Sequence, residues 1–539
     1  MSDLKEYIVT LKNKDDLDAF YEDMETPGGS LYIPNRAVEC VNRREISRNT
    51  HYMLNDAEAE ELKKDSRVMF AELTPQEQGL VVRPSYTQTG NFNKSGALNS
   101  AYRNWGLLRC VEGQQRTDWG SDGTSNINAT ISVTTQGRNV DVVIIDGHFN
   151  PAHPEYAVNS DGTGGSRVIQ YNWYAPFLTQ PYVYTPYTGT AAEDDNNHGA
   201  HVAGTACGNT QGWARSANIY NINPYSTNPN GNIVNTLYDW VRLFHRDKLI
   251  NPATGRRNPT ITNNSWGFYR FMTIGAILQV NYRGTLVNGP FTVAQLATYG
   301  LITVRAEGRD FLVVPSRNAA TEQDIVDCIA DGIIVVGAAG NQSATLGLPN
   351  DADWNNYVAV IGDEQIYTSD LGTPGGAIRP DLSLATICVG SIDNTTTDRK
   401  SGFSNRGARI DIWAPGSGIQ SSVNSGGVAD SRNASYTQDI YSGTSMASPQ
   451  VCGVLACALE MYPSMNNDQA RSYLFATAKQ NQVFDNNNGL SDVYDLINSP
   501  NRFLAHKQER PLSGNVYPKP DYFLRPSSGQ VYPRTRIKR

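Results

Sequence analysis

"YSGTSMASP", residues 441–449, puts three serines, a glycine and a proline into nine residues and runs straight into the apolar "QVCGVLACALEMYP". Val451, Val454, Leu455, Ala458 and Met461 recur on one helical face, which predicts a buried helix. Pro449 fits a first helical turn, where its missing N–H costs nothing, and that places the serines at the helix N-terminus. There the free backbone N–H groups and the helix dipole favour developing negative charge. The small neighbours let another backbone come close. A capping serine accounts for the same context, so the stretch alone leaves nucleophile and cap both open.

A nucleophilic serine needs a base, and the base needs an orienting carboxylate. Upstream, "HGAHVAGTACG" (198–208) opens on a histidine and continues into small residues suited to a tightly packed helix. "NVDVVIIDGHF" (139–149) is a continuous apolar run that stops at Asp146, where a buried carboxylate is costly unless partnered. "ADGIIVVGAAGN" (330–341) stops in the same way at glycines and an asparagine. Runs of this kind suit strands covered on both faces, as in parallel sheets. A helical pattern, "TLYDWVRLFHRDKLI" (236–250), lies between them. The region reads as an α/β sheet domain, with sites at the carboxyl ends of its strands.

Five motifs now stand in one order, and with them the chain resembles the subtilisin-like serine proteases, the subtilase family. They are "VVIIDGH" (142–148), "HGAHVAGT" (198–205), "NNSWG" (263–267), "VVGAAGN" (335–341) and "GTSMASP" (443–449), and "NWGLLRC" (104–110) and "SGFSNRGARIDIWAPG" (401–416) add to the likeness. The resemblance covers residues 105–500 and implies a three-layer fold around a mostly parallel central sheet. It implies Ser445 as nucleophile, His198 as general base and acid, and Asp146 as the carboxylate that holds the imidazole tautomer. Asn341 then gives a side-chain N–H to the oxyanion, with the Ser445 backbone N–H as second donor. Ser265, Trp266 and Gly267 are expected to pair with an extended substrate, and Ala338, Ala339 and Gly340 to line the pocket for the side chain before the cut. Trp266 hints at an apolar contact with an upstream substrate side chain. Ser442 and Ser448 are expected to cap the helix or pack, and His201 to face the helix packing.

Residues 1–78 read as a small α+β unit. "EYIVTLKN" (6–13) alternates as a half-buried strand does, and "DDLDAFYEDM" (15–24) has helical spacing. "LNDAEAEELKKDSRVMFAELTP" (54–75) reads as a helix capped by Asn55 or Asp56, then a strand. The unit is similar to the family's inhibitory propeptide, which implies an intramolecular inhibitor removed by self-cleavage between residues 73 and 90. Residues 79–500 form the expected catalytic domain, beginning with a polar, extended surface arm over 79–135. Residues 501–539 form a basic Pro/Tyr-rich tail with an echo, "SGNVYP" (513–518) and "SGQVYP" (528–533). From Lys507 onward eight Lys or Arg stand against Glu509 and Asp521, a net +6. The tail reads as a solvated segment or as a docking element for a partner.

Composition limits the remaining classes. A formal net charge of −8 makes no case for nucleic-acid binding. No apolar run of about 18 residues predicts a membrane span, and no apolar stretch near the start has signal-peptide length. A cytoplasmic or virion-associated location is therefore expected over classical secretion. Seven scattered cysteines without a C-x-x-C pair read as buried reduced thiols. No cofactor is implied for the chemistry. Calcium wants six to eight oxygens; "AEDDNN" (192–197) and "DNNNGLSD" (485–492) are oxygen-rich but match no defined calcium loop, so any metal site is left open.

The chain departs from the family pattern in places. Gly147 and His148 follow the aspartate, and His148 reads as a surface histidine or as a group that tunes the site. Gln450 stands where a histidine is common. Extra length at 171–190 and between "NNSWG" and "GAAGN" is placed to narrow the choice of substrate, or to serve as packing or interface. The expected function is a self-activating serine endopeptidase acting on polypeptides. The alternative is a structural or particle-associated protein, for example of a virion, that uses a subtilase body as scaffold.

Overall fold

The computed structural model describes residues 4–506, apart from 35, 37, 39, 43–46, 75–85, 113–118, 120–125, 176–185, 188–196, 225–235, 307, 350, 363, 370–374, 378–382 and 487–491. The chain divides into two compact units, Met1–Pro84 and Ser85–Arg539. The first contains β1 (Lys5–Leu11), α1 (Leu17–Glu25), β2 (Cys40–Asn42), β3 (Asn49–Leu54), α2 (Asp56–Leu62) and β4 (Val68–Leu73). The strands form one antiparallel sheet in the order β2-β3-β1-β4. Asn55 caps α2 through a full capping box with Glu58. Val9, Leu11, Phe20, Met24, Tyr52 and Leu54 make a core of its own. The sequence reading of strand, helix, helix, strand lacks β2 and β3.

The second unit opens with β5 (Tyr86–Asn93), β6 (Tyr102–Asn104), α3 (Trp105–Glu112) and β7 (Asn126–Val133). Where the sequence predicts an extended arm, β5 pairs antiparallel with β7 and parallel with β6. The body continues through β8 (Asp141–Ile145), α4 (His198–Cys207), β9 (Asn218–Ile222), α5 (Leu237–Asp247) and β10 (Thr260–Asn264). An inserted stretch carries β11 (Tyr269–Thr273), β12 (Ile277–Tyr282), β13 (Thr285–Asn288), α6 (Val293–Thr298), β14 (Thr303–Ala306) and β15 (Arg309–Pro315). Next come α7 (Ala319–Ala330), β16 (Ile334–Ala338), β17 (Tyr357–Val360), β18 (Gln365–Tyr367), β19 (Ile387–Ile392) and β20 (Ile412–Pro415). The last elements are β21 (Ile419–Val423), β22 (Val428–Asp430), β23 (Asn433–Tyr441), α8 (Thr444–Met461), α9 (Asn467–Thr477), β24 (Lys479–Gln480) and β25 (Arg502–Phe503).

The central sheet has eight strands in the order β24-β25-β20-β19-β16-β10-β8-β9 and is parallel except between β24 and β25. Alternate side chains feed opposite layers, as strand geometry requires. Val142 and Ile144 of β8 and Ile334 and Val336 of β16 pack with Val451, Val454 and Leu455 of α8. Val143, Ile145 and Val335 pack on the other face with Trp240, Val241 and Phe244 of α5 and Ile325 and Ile329 of α7. The result is a three-layer α/β fold with a mostly parallel sheet. All seven cysteines are free thiols; six are buried and Cys40 is half-buried.

The stretch between β10 and α7 is joined by a second excursion, over β17 and β18, that the sequence reading does not separate. β12 pairs antiparallel with β17, with Val280 opposite Val358. The two excursions share a small core that includes Val280, Leu296, Leu312, Val314 and Val358. Residues 171–190 lie largely outside the described residues; Tyr171 and Trp173 pack edge-on against Phe244. The tail beyond His506 also lies outside them. Among the described residues no helix is long and apolar enough to cross a membrane.

Candidate active site

β8 delivers Asp146 to the carboxyl edge of the sheet, fully buried. Its Oδ1 accepts from the Gly147 N–H and pairs with His198 Nδ1, both at 2.8 Å. His198 is the first residue of α4, and its side chain is 27% exposed. Gly199 explains how the two come together: a Cβ there would lie 1.9 Å from the Gly147 carbonyl oxygen. The helix start therefore rests directly on the Asp146–Gly147 backbone, an approach open only to glycine. Asn197, just before it, is left-handed (φ 66°) and uses its Oδ1 to accept from the N–H groups of Asn424 and Ser425.

The neighbouring histidines are each held by partners of their own. His201 is fully buried, stacks on Tyr441 at 4.6 Å and hydrogen-bonds the Ile419 carbonyl through Nε2. Burial pushes its pKa down to about 3, so it is neutral near pH 7. His148 is half-buried, stacks on Tyr187 at 4.9 Å and bonds Asn221 Oδ1 at 2.8 Å, so it is not a free surface histidine.

Ser445 is the second residue of α8, where N–H groups have no intrahelical acceptor. The residue is 9% exposed, and its hydroxyl donates to the Ser265 carbonyl at 3.2 Å. The cap is Gly443, without side-chain help. Ser442 instead accepts from the Gly418 N–H, and buried Ser448 donates to Asn263 Oδ1. Neither serine caps the helix. Pro449 also differs from expectation, since α8 begins at Thr444 and the proline is its sixth residue. A proline there removes the N–H that would serve the Ser445 carbonyl. The Ser265 hydroxyl takes that carbonyl at 2.9 Å and repairs the defect from across the site.

Asn341 follows β16. Its Oδ1 accepts from both the backbone N–H (2.9 Å) and the hydroxyl (2.8 Å) of Thr444. The carbonyl end of the amide is thereby fixed on α8, and Nδ2 is the end directed elsewhere. Thr444 Oγ1 also accepts from the Gly340 N–H at 3.0 Å. The sequence reading missed Thr444, although "GTS" places it beside Ser445.

Ser265, Trp266 and Gly267 continue from β10 without joining a sheet. Trp266 is turned inward, 9% exposed, and meets Phe268 edge-on in the α5/α7 core. Its side chain is thus a core group, which leaves only its backbone for the strand pairing expected of it. Ala338 and Ala339 are buried, and Gly340 is left-handed at φ +95°; a Cβ there would meet Asn405 Nδ2 at 2.6 Å. Among the described residues no group of three or more His, Cys, Asp or Glu could hold a metal ion. Most of the two oxygen-rich stretches, 192–196 and 487–491, lies outside them.

Residues 137–493 match the profile of the subtilase family, Peptidase_S8. Subtilisin amylosacchariticus of Bacillus subtilis subsp. amylosacchariticus is 24% identical over 342 residues, 64% of this chain and 61% of that protein. Subtilisin E of Bacillus subtilis (strain 168) is 25% identical over 347 residues, with the same shares. The match thus spans about three fifths of these relatives' length. A crystal structure of a cold adapted subtilisin-like serine proteinase aligns over 75% of this chain and 98% of its own, at 22% identity and a TM-score of 0.44.

Proposed function

The chain belongs to the subtilase family, and from that premise we propose that it is a serine endopeptidase with Ser445 as nucleophile. The observation that carries this reading is the pairing of half-buried His198 with buried Asp146 at 2.8 Å, together with a serine at the start of α8. His198 Nδ1–H donates to Asp146, which leaves Nε2 as the basic nitrogen. In acylation the Ser445 hydroxyl turns from the Ser265 carbonyl to Nε2. Its oxygen bonds to the scissile carbonyl carbon as its proton passes to His198. The carbonyl π electrons move onto oxygen, which receives the Asn341 Nδ2–H and the Ser445 N–H. Collapse breaks the C–N bond, and His198 returns the proton to the leaving amine. Water repeats the sequence on the acyl-enzyme, so the net reaction is hydrolysis.

The polypeptide substrate lies extended along residues 265–267 and adds a strand to that edge. Ala338, Ala339 and Gly340 form the far wall for the side chain before the cut. Residues 1–78 act as an intramolecular inhibitor that the enzyme removes. Their own core and the compact unit ending at Pro84 support this role. The test is peptide hydrolysis with intact mass for wild type and Ser445→Ala. Wild type should cleave peptide and lose its N-terminal segment at a bond between residues 73 and 90. S445A should do neither. Equal hydrolysis by both proteins would refute the assignment.

A further inference from the structure

We propose that Asn405 is the positioning residue that sets the side-chain amide of Asn341 for the reaction, an inference that rests on the oxyanion role given to Asn341 above. Asn405 lies in the segment between β19 and β20 and is completely buried. It does not touch Asn341; it grips the chain on both sides of it. Before Asn341, the Asn405 N–H donates to the Gly340 carbonyl at 2.9 Å and Nδ2 donates to the Ala339 carbonyl at 2.7 Å. After Asn341, Asn405 Oδ1 accepts from the N–H groups of Gln342 at 3.0 Å and Ala344 at 2.9 Å. Nδ2 also reaches Gln342 Oε1 at 3.2 Å.

The gripped stretch needs holding. Gly340 (φ +95°) and Ser343 (φ +51°) flank Asn341 in left-handed conformations, and for the serine that region is disfavoured. Thr444 fixes the rotation of the Asn341 amide, but it cannot fix where the Asn341 backbone lies. One asparagine side chain spanning residues 339 to 344 does that, because its carbonyl and amino ends serve opposite sides of the same turn. An oxyanion donor acts only within about 2.7–3.1 Å of the developing charge. Displacement of a catalytic group by about 1 Å can cost about 10²-fold in rate.

The test is a double-mutant cycle of Asn405→Ala and Asn341→Ala in the full chain. Turnover is measured on a peptide substrate, with active sites counted by a fluorophosphonate and melting temperature followed in parallel. N405A should lower kcat per active site about 10–100-fold and leave KM within about twofold. In the N341A background the same change should alter kcat by less than about twofold, because the group being positioned is gone. Should N405A not fold, Asn405→Ser carries the same cycle with a smaller loss. Additive effects, or a loss seen only in active-site count or melting temperature, would overturn the positioning role and leave the oxyanion reading standing. An N341A enzyme with wild-type kcat would remove the oxyanion reading and this inference with it.

Discussion

At Asn341 orientation matters as much as presence. Two donations from Thr444 hold its carbonyl end, which leaves the amino end for the developing charge in the proposed mechanism. Thr444→Val removes one of those donors and the acceptor for the Gly340 N–H. It should lower kcat about tenfold at nearly unchanged KM, read by steady-state kinetics on a peptide substrate. Among the histidines, His506 is buried, and burial pushes its pKa down to about 4. Its ring meets Trp213 edge-on at 5.2 Å. His506→Phe keeps that aromatic contact and removes the titration, so it should raise stability at pH 5 relative to pH 8, as seen in paired urea melts. The sequence singles out Asp146, His198, Asn341 and Ser445 as candidates because each sits in a short contiguous motif. It does not single out Asn405, because its partners lie more than sixty positions away in the chain and only folding brings them together.

Among the elements, α8 shows how a local rule yields to tertiary context. A proline at the sixth helical position would ordinarily cost about 3 kcal/mol. Here Ser265, 180 residues away in the chain, serves the carbonyl that the proline strands. Ser265→Ala should therefore destabilise the protein by about 1–3 kcal/mol in chemical denaturation, the cost of an unsatisfied buried acceptor. The inserted sheets around β12 and β17 present the other case. Each of the two excursions is too small to bury a core, and the pairing of Val280 with Val358 gives them one in common. Leu296→Ala, at a fully buried position there, should cost about 2–5 kcal/mol. It should also open residues 269–315 to limited proteolysis before the central sheet is attacked. Apolar runs made β8, β16 and α8 readable. β5 and β7, polar and half-exposed, carry the same structure without that signal, and β3 shows only a short alternation of Thr50, Tyr52 and Leu54.

For the whole molecule, burial of neutral histidines sets the response to acid. Besides His506, His201 is pushed to about 3 and His245 to about 4 by burial, the latter helped by the nearby Lys248 cation, and His153 is lowered as well. Unfolded, each binds a proton near pH 6.5. The unfolded state thus binds more protons as pH falls from about 6.5 toward 4, and the folded state loses stability over that window. Asp430 adds a lower step. Against its desolvation, Arg432 holds it at about 2, so its stabilisation is present above about pH 4 and lost as pH falls toward 2. Melting temperature of S445A should be flat from pH 7 to 9 and fall steeply below about 6. The order of the five motifs was enough to indicate the three-layer fold, while the joined excursions and the grip on the chain around Asn341 depend on contacts between distant segments. The central claim is that Ser445 is an activated nucleophile served by His198. Its most direct test is intact mass and peptide mapping after reaction with a fluorophosphonate, for wild type and Ser445→Ala. The account predicts one adduct on wild type, mapped to Ser445, and none on S445A; an unlabelled wild type, or an adduct that survives in S445A, would contradict it.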